Sequence, residues 1–368
     1  MSEQAVVLPA SFSETSAVLA DAAARDLTVA VRGAGQGWLT PKADLIVATA
    51  KLNQVTEHVA GDLVARVQAG ATMGYVAEVL AGHGQRLSLD VPPEITVGGM
   101  LATGMAGPLR FRYGFPRDLL IGITVVRPDG VLARSGGKVV KNVAGYDLGK
   151  LFAGSHGTLG LIADATFRLH PLPPAVSYLT AGFPDTASAA AAVIAAANSP
   201  LQPAAVELDW PAGEQPVAGV LLEGTESGVA ERARRLTDLL RSAGAADVVT
   251  SGDPPVWWGQ LPGPRVTTSF PAPTPGYVAR TTYWLSRLGE VLSVIADSGV
   301  SCSAGGSAGA GLLYLCPADG ARLGELVASL RALLGNRGDA SVLTDPWAPA
   351  DPLMRAVKDQ FDPTGRFG

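Results

Sequence analysis

The chain has 368 residues, a formal net charge of −5, and 17% charged against 47% hydrophobic residues, a globular composition that excludes wholesale disorder. The acidic balance and the lack of a long Lys/Arg run argue against nucleic acid or an anionic membrane as a direct partner, and no apolar segment reaches transmembrane length. The length suits two domains, residues 1–12 lack signal-peptide features so a cytoplasmic protein is expected, and Cys302 and Cys316, without metal spacing, read as free packed thiols.

Residues 13–25 read as an amphipathic helix capped by Ser13, and LTVAV (27–31) as a buried strand. RGAGQGW (32–38) follows, and three glycines at alternate positions after a strand leave backbone N–H groups able to turn toward one anion. A Rossmann turn would need G-x-G-x-x-G opening a helix and an acidic residue about twenty positions later. Here the spacing is G-x-G-x-G, no helix pattern follows, and Leu52, Asn53 and Gln54 stand at the acidic position. LIVATA (45–50), VTEHV (55–59) and LVARVQAG (63–70) read as a meander of short strands, and residues 71–84 as a helix with a Thr72 cap and a glycine stop. This first domain is therefore of α+β type.

VPPEITVGGMLATGMAGP (91–108) is a second glycine cluster, whose small residues allow a flat group to lie against it. A hairpin follows, IGITVVR and VLARS joined by Pro128-Asp129-Gly130. Before it, Arg117 and Asp118 read as a buried ion pair. The third cluster, 136–162, sets Lys138, Lys141 and Lys150 around Asn142, Tyr146 and Asp147, then closes with Gly154, Ser155, Gly157 and Gly160. Such a density of glycine points to positive φ or close approach of a ligand. LIADATFRL (161–169) reads as a half-buried strand.

PLPPA (171–175) marks a boundary. Beyond it, strands at 176–183, 204–210, 217–224 and 245–251 alternate with helices at 185–199 and 226–244 in the order βαββαβ, the ferredoxin-like pattern. Further helices are expected at 285–299 and 318–335, with two small-residue strands in 301–317 and a last strand at 340–344. The aromatics of 257–284 suit either a partner surface or the second domain's own core.

Three glycine clusters separated by strands, with a tail reading FDPTGRF, resemble the flavoproteins of the vanillyl-alcohol oxidase type, which carry a PCMH-type FAD-binding domain. Within that group KVVKNVAGYDLGKLFAGSHGTLGLI (138–162) is most similar to the FAD-binding E subunits of bacterial glycolate oxidases. The resemblance implies a PCMH-type domain over 1–172, a ferredoxin-like α+β cap domain over 173–345 and a tail, 346–368, returning to the first domain. It implies noncovalent FAD, with Gln36 and Gly37 where covalently flavinylated relatives carry histidine. The pyrophosphate would lie on backbone amides of Gly33, Ala34, Gly35 and Gln36 in a loop completed by Arg32, Gly37 and Trp38. Gly98, Gly99, Thr103 and Gly104, with Pro92, Thr96, Val97 and Ala102, would line the pyrophosphate and the isoalloxazine edge. Gly157, Thr158, Gly160 and Ile162 would reach the ribose and adenine side.

The resemblance also implies oxidation of glycolate or a similar 2-hydroxy acid, in a complex with a related flavoprotein subunit and an iron–sulfur subunit. Any membrane association would run through those partners. Related D-2-hydroxyacid dehydrogenases carry a histidine-rich, metal-binding motif in the second domain. This chain has His58, His83, His156 and His170, all in the first, and SAGGSAGAGLLYL (303–315) where a histidine is expected. No catalytic residue or metal ligand is assigned. A self-sufficient FAD-dependent alcohol oxidase and a non-catalytic flavin-holding scaffold subunit are the alternative readings.

Overall fold

The computed structural model describes residues 5–33, 43–137, 148–262, 278–342 and 352–367. Backbone contacts divide the chain into two compact units, one of residues 1–106, 114–172 and 349–368, the other of 107–113 and 173–348.

In the first unit, β1 (Ala5–Val7), β2 (Val29–Arg32) and β3 (Leu45–Ala48) form a small parallel sheet in the order β1-β3-β2. The expected meander therefore fails at β3, which joins β1 and β2 instead of running antiparallel into β4. All four residues of β3 are buried, so the strand needs cover on both faces, as the centre of a parallel sheet has. β4 (Val55–Val59), β5 (Val64–Gln68), β7 (Leu120–Val126), β8 (Leu132–Gly136) and β9 (Leu161–Arg168) form an antiparallel sheet in the order β4-β5-β9-β7-β8. Two-residue strands β6 (Gln85–Arg86) and β10 (His170–Pro171) pair separately.

The β9 strand is buried at seven successive positions, where alternation suggested a half-buried strand. Leu161 and Ala163 join a core with Leu19, Val29 and Phe367, whereas Ile162, Ala165 and Phe167 join one with Met100 and Leu101. With a core on either side, the alternation expected of a solvated sheet face has no cause to appear. Asp164 in this strand is buried against Arg66, whose Nε donates to its Oδ2 at 2.8 Å and whose Nη2 donates to Thr124 Oγ1 at 3.2 Å. That is a largely buried ion pair. Arg117 and Asp118 are solvent-exposed and 3.9 Å apart, and Asp118 serves to accept from the Phe115 N–H at 2.8 Å.

Helices of this unit are α1 (Phe12–Ala24), α2 (Met73–Ala81), α3 (Val97–Thr103), α5 (Pro116–Leu119), α6 (Gly149–Phe152) and α11 (Pro352–Phe361). Thr72 caps α2 by accepting from the Tyr75 N–H, as expected. For α1 the cap is Ser11, whose Oγ accepts from the Glu14 N–H at 3.1 Å, and Ser13 lies inside the helix. Ser11→Ala is accordingly expected to lower stability by about 1 kcal/mol and Ser13→Ala to leave it nearly unchanged, read from urea unfolding midpoints.

The second unit is one antiparallel sheet of eight strands: β11 (Ala175–Gly182), β12 (Ala205–Trp210), β13 (Val217–Gly224), β14 (Val248–Ser251), β15 (Ala279–Tyr283), β16 (Cys302–Gly306), β17 (Leu312–Pro317) and β18 (Gly338–Val342). Their order is β14-β11-β13-β12-β16-β17-β15-β18. With α7 (Thr186–Ala197), α8 (Glu226–Ser242), α9 (Leu288–Asp297) and α10 (Leu323–Leu334), the chain runs βαββαβ twice. The two halves have the same internal strand order and meet where β12 pairs with β16.

All four helices contribute to one core with one sheet face. Val206 and Leu208 of β12, Val220 and Leu222 of β13 and Ala304 of β16 point there. Ala189, Ala190, Ala192 and Ala196 line α7, and such small side chains let it pack closely against α8 and α9. The opposite sheet face, by the two-residue period of strands, carries Glu207, Asp209 and Glu223, all buried. Covering part of it is the segment 107–113, with the short helix α4 (Arg110–Tyr113). Tyr113 Oη donates to Glu223 Oε2 at 3.0 Å. Leu109 packs with Ala205 and Leu221, and Trp258 stacks edge-on against Tyr178 at 5.2 Å. A Cβ on Gly219 would stand 2.5 Å from Trp257 Cη2 and 2.9 Å from Trp258 Cζ3, so these two tryptophans belong to the unit's own packing. Trp284 is exposed, beneath the Arg337 guanidinium. Cys302 and Cys316 are both free, and burial pushes their thiols up to about 12 and about 11.

Candidate cofactor site

The described parts of the three glycine clusters meet on α3. Thr96 caps that helix, its Oγ1 accepting from the Gly99 N–H at 3.2 Å. Gly33, at the end of β2, lies so close that a Cβ there would overlap Thr96 Oγ1. From the third cluster, the Gly154 N–H donates to Leu101 O at 2.9 Å and the His156 N–H to Ala102 O at 2.8 Å. A Cβ on Gly104, the αL residue ending α3, would lie 3.6 Å from Gly154 Cα. Residues more than a hundred positions apart thus form one surface of nearly bare backbone.

The amides of α3 itself are already committed. Val97 N–H donates to Ala71 O at 2.8 Å, Gly98 N–H to Ala69 O at 2.7 Å and Gly99 N–H to Thr96. Gly98 is glycine for packing, because a Cβ there would stand 2.9 Å from that of Ala69. Thr103 Oγ1 donates back to Gly99 O at 2.7 Å. Pro92 O accepts from Ile95 N–H, fixing the approach to the helix.

Gly154, Gly157 and Gly160 have φ of 83, 79 and 146°, the left-handed region that favours glycine. No atom lies within 4 Å of a Cβ built on Gly154 or Gly157. Thr158 Oγ1 donates to Ser155 O at 2.7 Å. Ile162 sits in β9 with a buried side chain, so it forms wall behind the loop. Arg32 ends β2, and its carbonyl accepts from the Thr49 N–H at 3.0 Å. Ala34, Gly35, Gln36, Gly37 and Trp38 lie outside the described residues, as do Lys138, Lys141, Asn142, Tyr146 and Asp147.

A flavin dinucleotide fits this surface on two observations. The backbone at Gly154 and Gly157 has open space beside it. Thr49 Oγ1, just past the end of β3, and Ser88 Oγ, in the segment that leads into the second cluster, are buried without a hydrogen-bond partner among the described residues. Orphaned polar atoms of this kind require a partner, and the hydroxyls and phosphates of a dinucleotide supply both donors and acceptors. Among the described residues no group of three or more His, Cys, Asp or Glu is placed to hold a metal, and no helix is long and apolar enough to cross a membrane.

Comparison with known proteins agrees. Residues 3–136 match the family described as the FAD binding domain, and FAD is the cofactor of this chain. A glycolate oxidase subunit, GlcD of Bacillus subtilis, is 32% identical over 218 residues, 56% of this chain and 46% of that protein. Glycolate oxidase subunit GlcE of Escherichia coli is 38% identical over 117 residues, 31% of this chain and 33% of that protein. The chain spans less than half the length of the first curated relatives it matches. Among solved structures, an alkyldihydroxyacetonephosphate synthase superposes with a TM-score of 0.70 at 18% identity, over 98% of this chain and 75% of that one, a likeness of fold.

The second unit holds a polar group that sequence reading missed. Ser307, inside the stretch where a histidine was expected, donates from Oγ to Glu207 Oε1 at 2.5 Å. Burial raises the Glu207 carboxyl to about 7, against the hydrogen bond from Ser307 and the Arg110 charge, which act to lower it. Tyr283, also buried, donates to Ala308 O at 3.3 Å, and burial together with Glu207 raises its hydroxyl well above the ordinary value. Strand alternation would have put Glu207 on the polar face. Its partner, a hundred residues away, has no signature in the sequence.

Proposed function

We propose that this chain is the FAD-binding subunit of a glycolate (2-hydroxyacid) oxidase or dehydrogenase complex, an FAD-dependent oxidoreductase that works with a related flavoprotein and an iron–sulfur subunit. The observation that carries the reading is the convergence of Gly33, Gly154 and His156 on the short helix α3, which lies within the residues 3–136 matched to an FAD binding domain. The glycolate oxidase subunits among its relatives supply the substrate class and the complex. We read the second unit as a ferredoxin-like cap in two copies. FAD, held noncovalently, supplies an acceptor for the hydride of a CH–OH donor.

In this reading α3 is a floor, since its N–H groups are spent. The diphosphate falls to the amides of RGAGQGW, and Gly157 and Thr158 serve the adenosine side. The hydroxyl proton of the substrate requires a base. No histidine stands in the second unit, which favours a base on a partner. Purified alone, the chain is expected to reduce dye slowly with glycolate and to turn over once the partner subunits are added. Fast turnover by the isolated chain would overturn the dependence on partners.

A further inference from the structure

Lys358, on α11, makes three bonds at once. Its Nζ donates to Thr158 O at 2.7 Å, to Phe367 O at 2.6 Å and to the Asp362 carboxylate. Thr158 O is the only one of these outside the 352–367 segment, and it belongs to the glycine-rich loop 154–160. The other two bonds close the segment on itself as a clamp. Asp362, with a fully buried side chain, accepts from the Arg366 N–H at 3.0 Å and the Phe367 N–H at 2.7 Å. Burial works against its ionisation, but these bonds and Lys358 outweigh it and hold the carboxyl below its usual range.

The clamp is also seated on the rest of the first unit. Phe361 meets Phe152 edge-on at 5.5 Å, at the start of the same loop. Arg366 Nη1 donates to Ala22 O at 3.0 Å and Leu27 O at 3.1 Å, while the Val29 N–H donates to Arg366 O at 2.9 Å. Val29 begins the strand that ends at Arg32 and Gly33. One segment thus touches the loop of the third cluster and the strand leading into the first.

We propose that Lys358 is a positioning residue for FAD binding, tying the seating of the 352–367 segment to the conformation of the loop at Thr158. The proposal rests on the reading of loop 154–160 as part of the FAD site. Three of its glycines have positive φ and His156 has φ of 52°, so the loop's shape is held by its partners, and a charged ammonium on its carbonyl is one of them. Binding and seating are then coupled reciprocally. Loss of the tie weakens FAD, and FAD steadies the segment.

Two measurements test this on the full chain. After removal and re-addition of flavin, Lys358→Met, which keeps length but not charge, is expected to bind FAD about tenfold more weakly than wild type, by flavin fluorescence titration, with an unchanged circular dichroism spectrum. In the wild-type protein, amide hydrogen exchange across 358–367 is expected to slow about tenfold when FAD is added. A folded Lys358→Met protein with wild-type FAD affinity overturns the proposal. Should that variant not fold, exchange across 358–367 that ignores FAD overturns it. Wild-type protein that takes up no FAD would sink the site reading itself, and this proposal with it.

Discussion

Gly33→Val is expected to yield a folded protein that has lost at least about nine-tenths of its flavin. The backbone at Gly33 is outside the left-handed region, so valine meets no φ penalty, and the effect is one of space alone. Its Cβ would overlap Thr96 Oγ1, an atom already engaged in capping α3 through the Gly99 N–H. Moving Thr96 aside costs the cap, about 1 kcal/mol, and shifts the start of the helix on which all three glycine clusters converge. An adjustment of this size lets the domain survive while the cofactor surface is lost, since a displacement of about 1 Å is enough to spoil a preorganised site. Gly61→Ala, where a Cβ meets nothing within 4 Å, is the control and is expected to keep full flavin. Full flavin content in folded Gly33→Val would detach this glycine from the site.

The second large effect is on stability against pH. Glu207 holds its proton up to about 7 in the folded chain and to about 4.5 when unfolded. Between these values the unfolded state gives up a proton that the folded state keeps, so stability falls as pH rises, by about 3 kcal/mol once both are ionised. Below pH 4.5 this contribution is fully present. Asp362, with its carboxyl below the usual range, acts with the opposite sign, but at lower pH, and does not overlap the window from pH 5 to 8. Glu207→Gln keeps the shape and an acceptor for Ser307 without the charge. Its unfolding transition is expected to lose the downward slope between about pH 4.5 and 7 and to exceed wild type at pH 8. Parallel profiles for the two proteins would show that Glu207 is ionised in the folded chain throughout.

Local chemistry was legible in the sequence wherever one residue decides one turn. Thr72 announces α2, Pro128-Asp129-Gly130 announces the β7–β8 hairpin, and the glycines at 154, 157 and 160 announce positive φ. Pairing was not legible, because a strand's composition states that it is covered without stating by what. β3 looked like part of a meander and proved to lie between β1 and β2. Within the second unit the βαββαβ order was readable in the first half. The repetition was obscured because the strand opening the second half, β15, lies behind a proline-rich stretch. Long-range bonds were out of reach altogether: Lys358 with Thr158, and Glu207 with Ser307, join residues 200 and 100 positions apart. For the cofactor surface, the sequence marked which backbone is bare. It did not reveal that the amides of α3 are spent on Ala69, Ala71 and Thr96.

Whether the glycine surface around α3 holds FAD decides the function of the chain. The direct measurement is the visible absorption spectrum of the purified chain, with added FAD removed by gel filtration, before and after glycolate under anaerobic conditions. Flavin bands at close to one FAD per chain, persisting with glycolate until partner subunits are added, are the predicted result. A folded, colourless protein that retains no FAD would contradict the account.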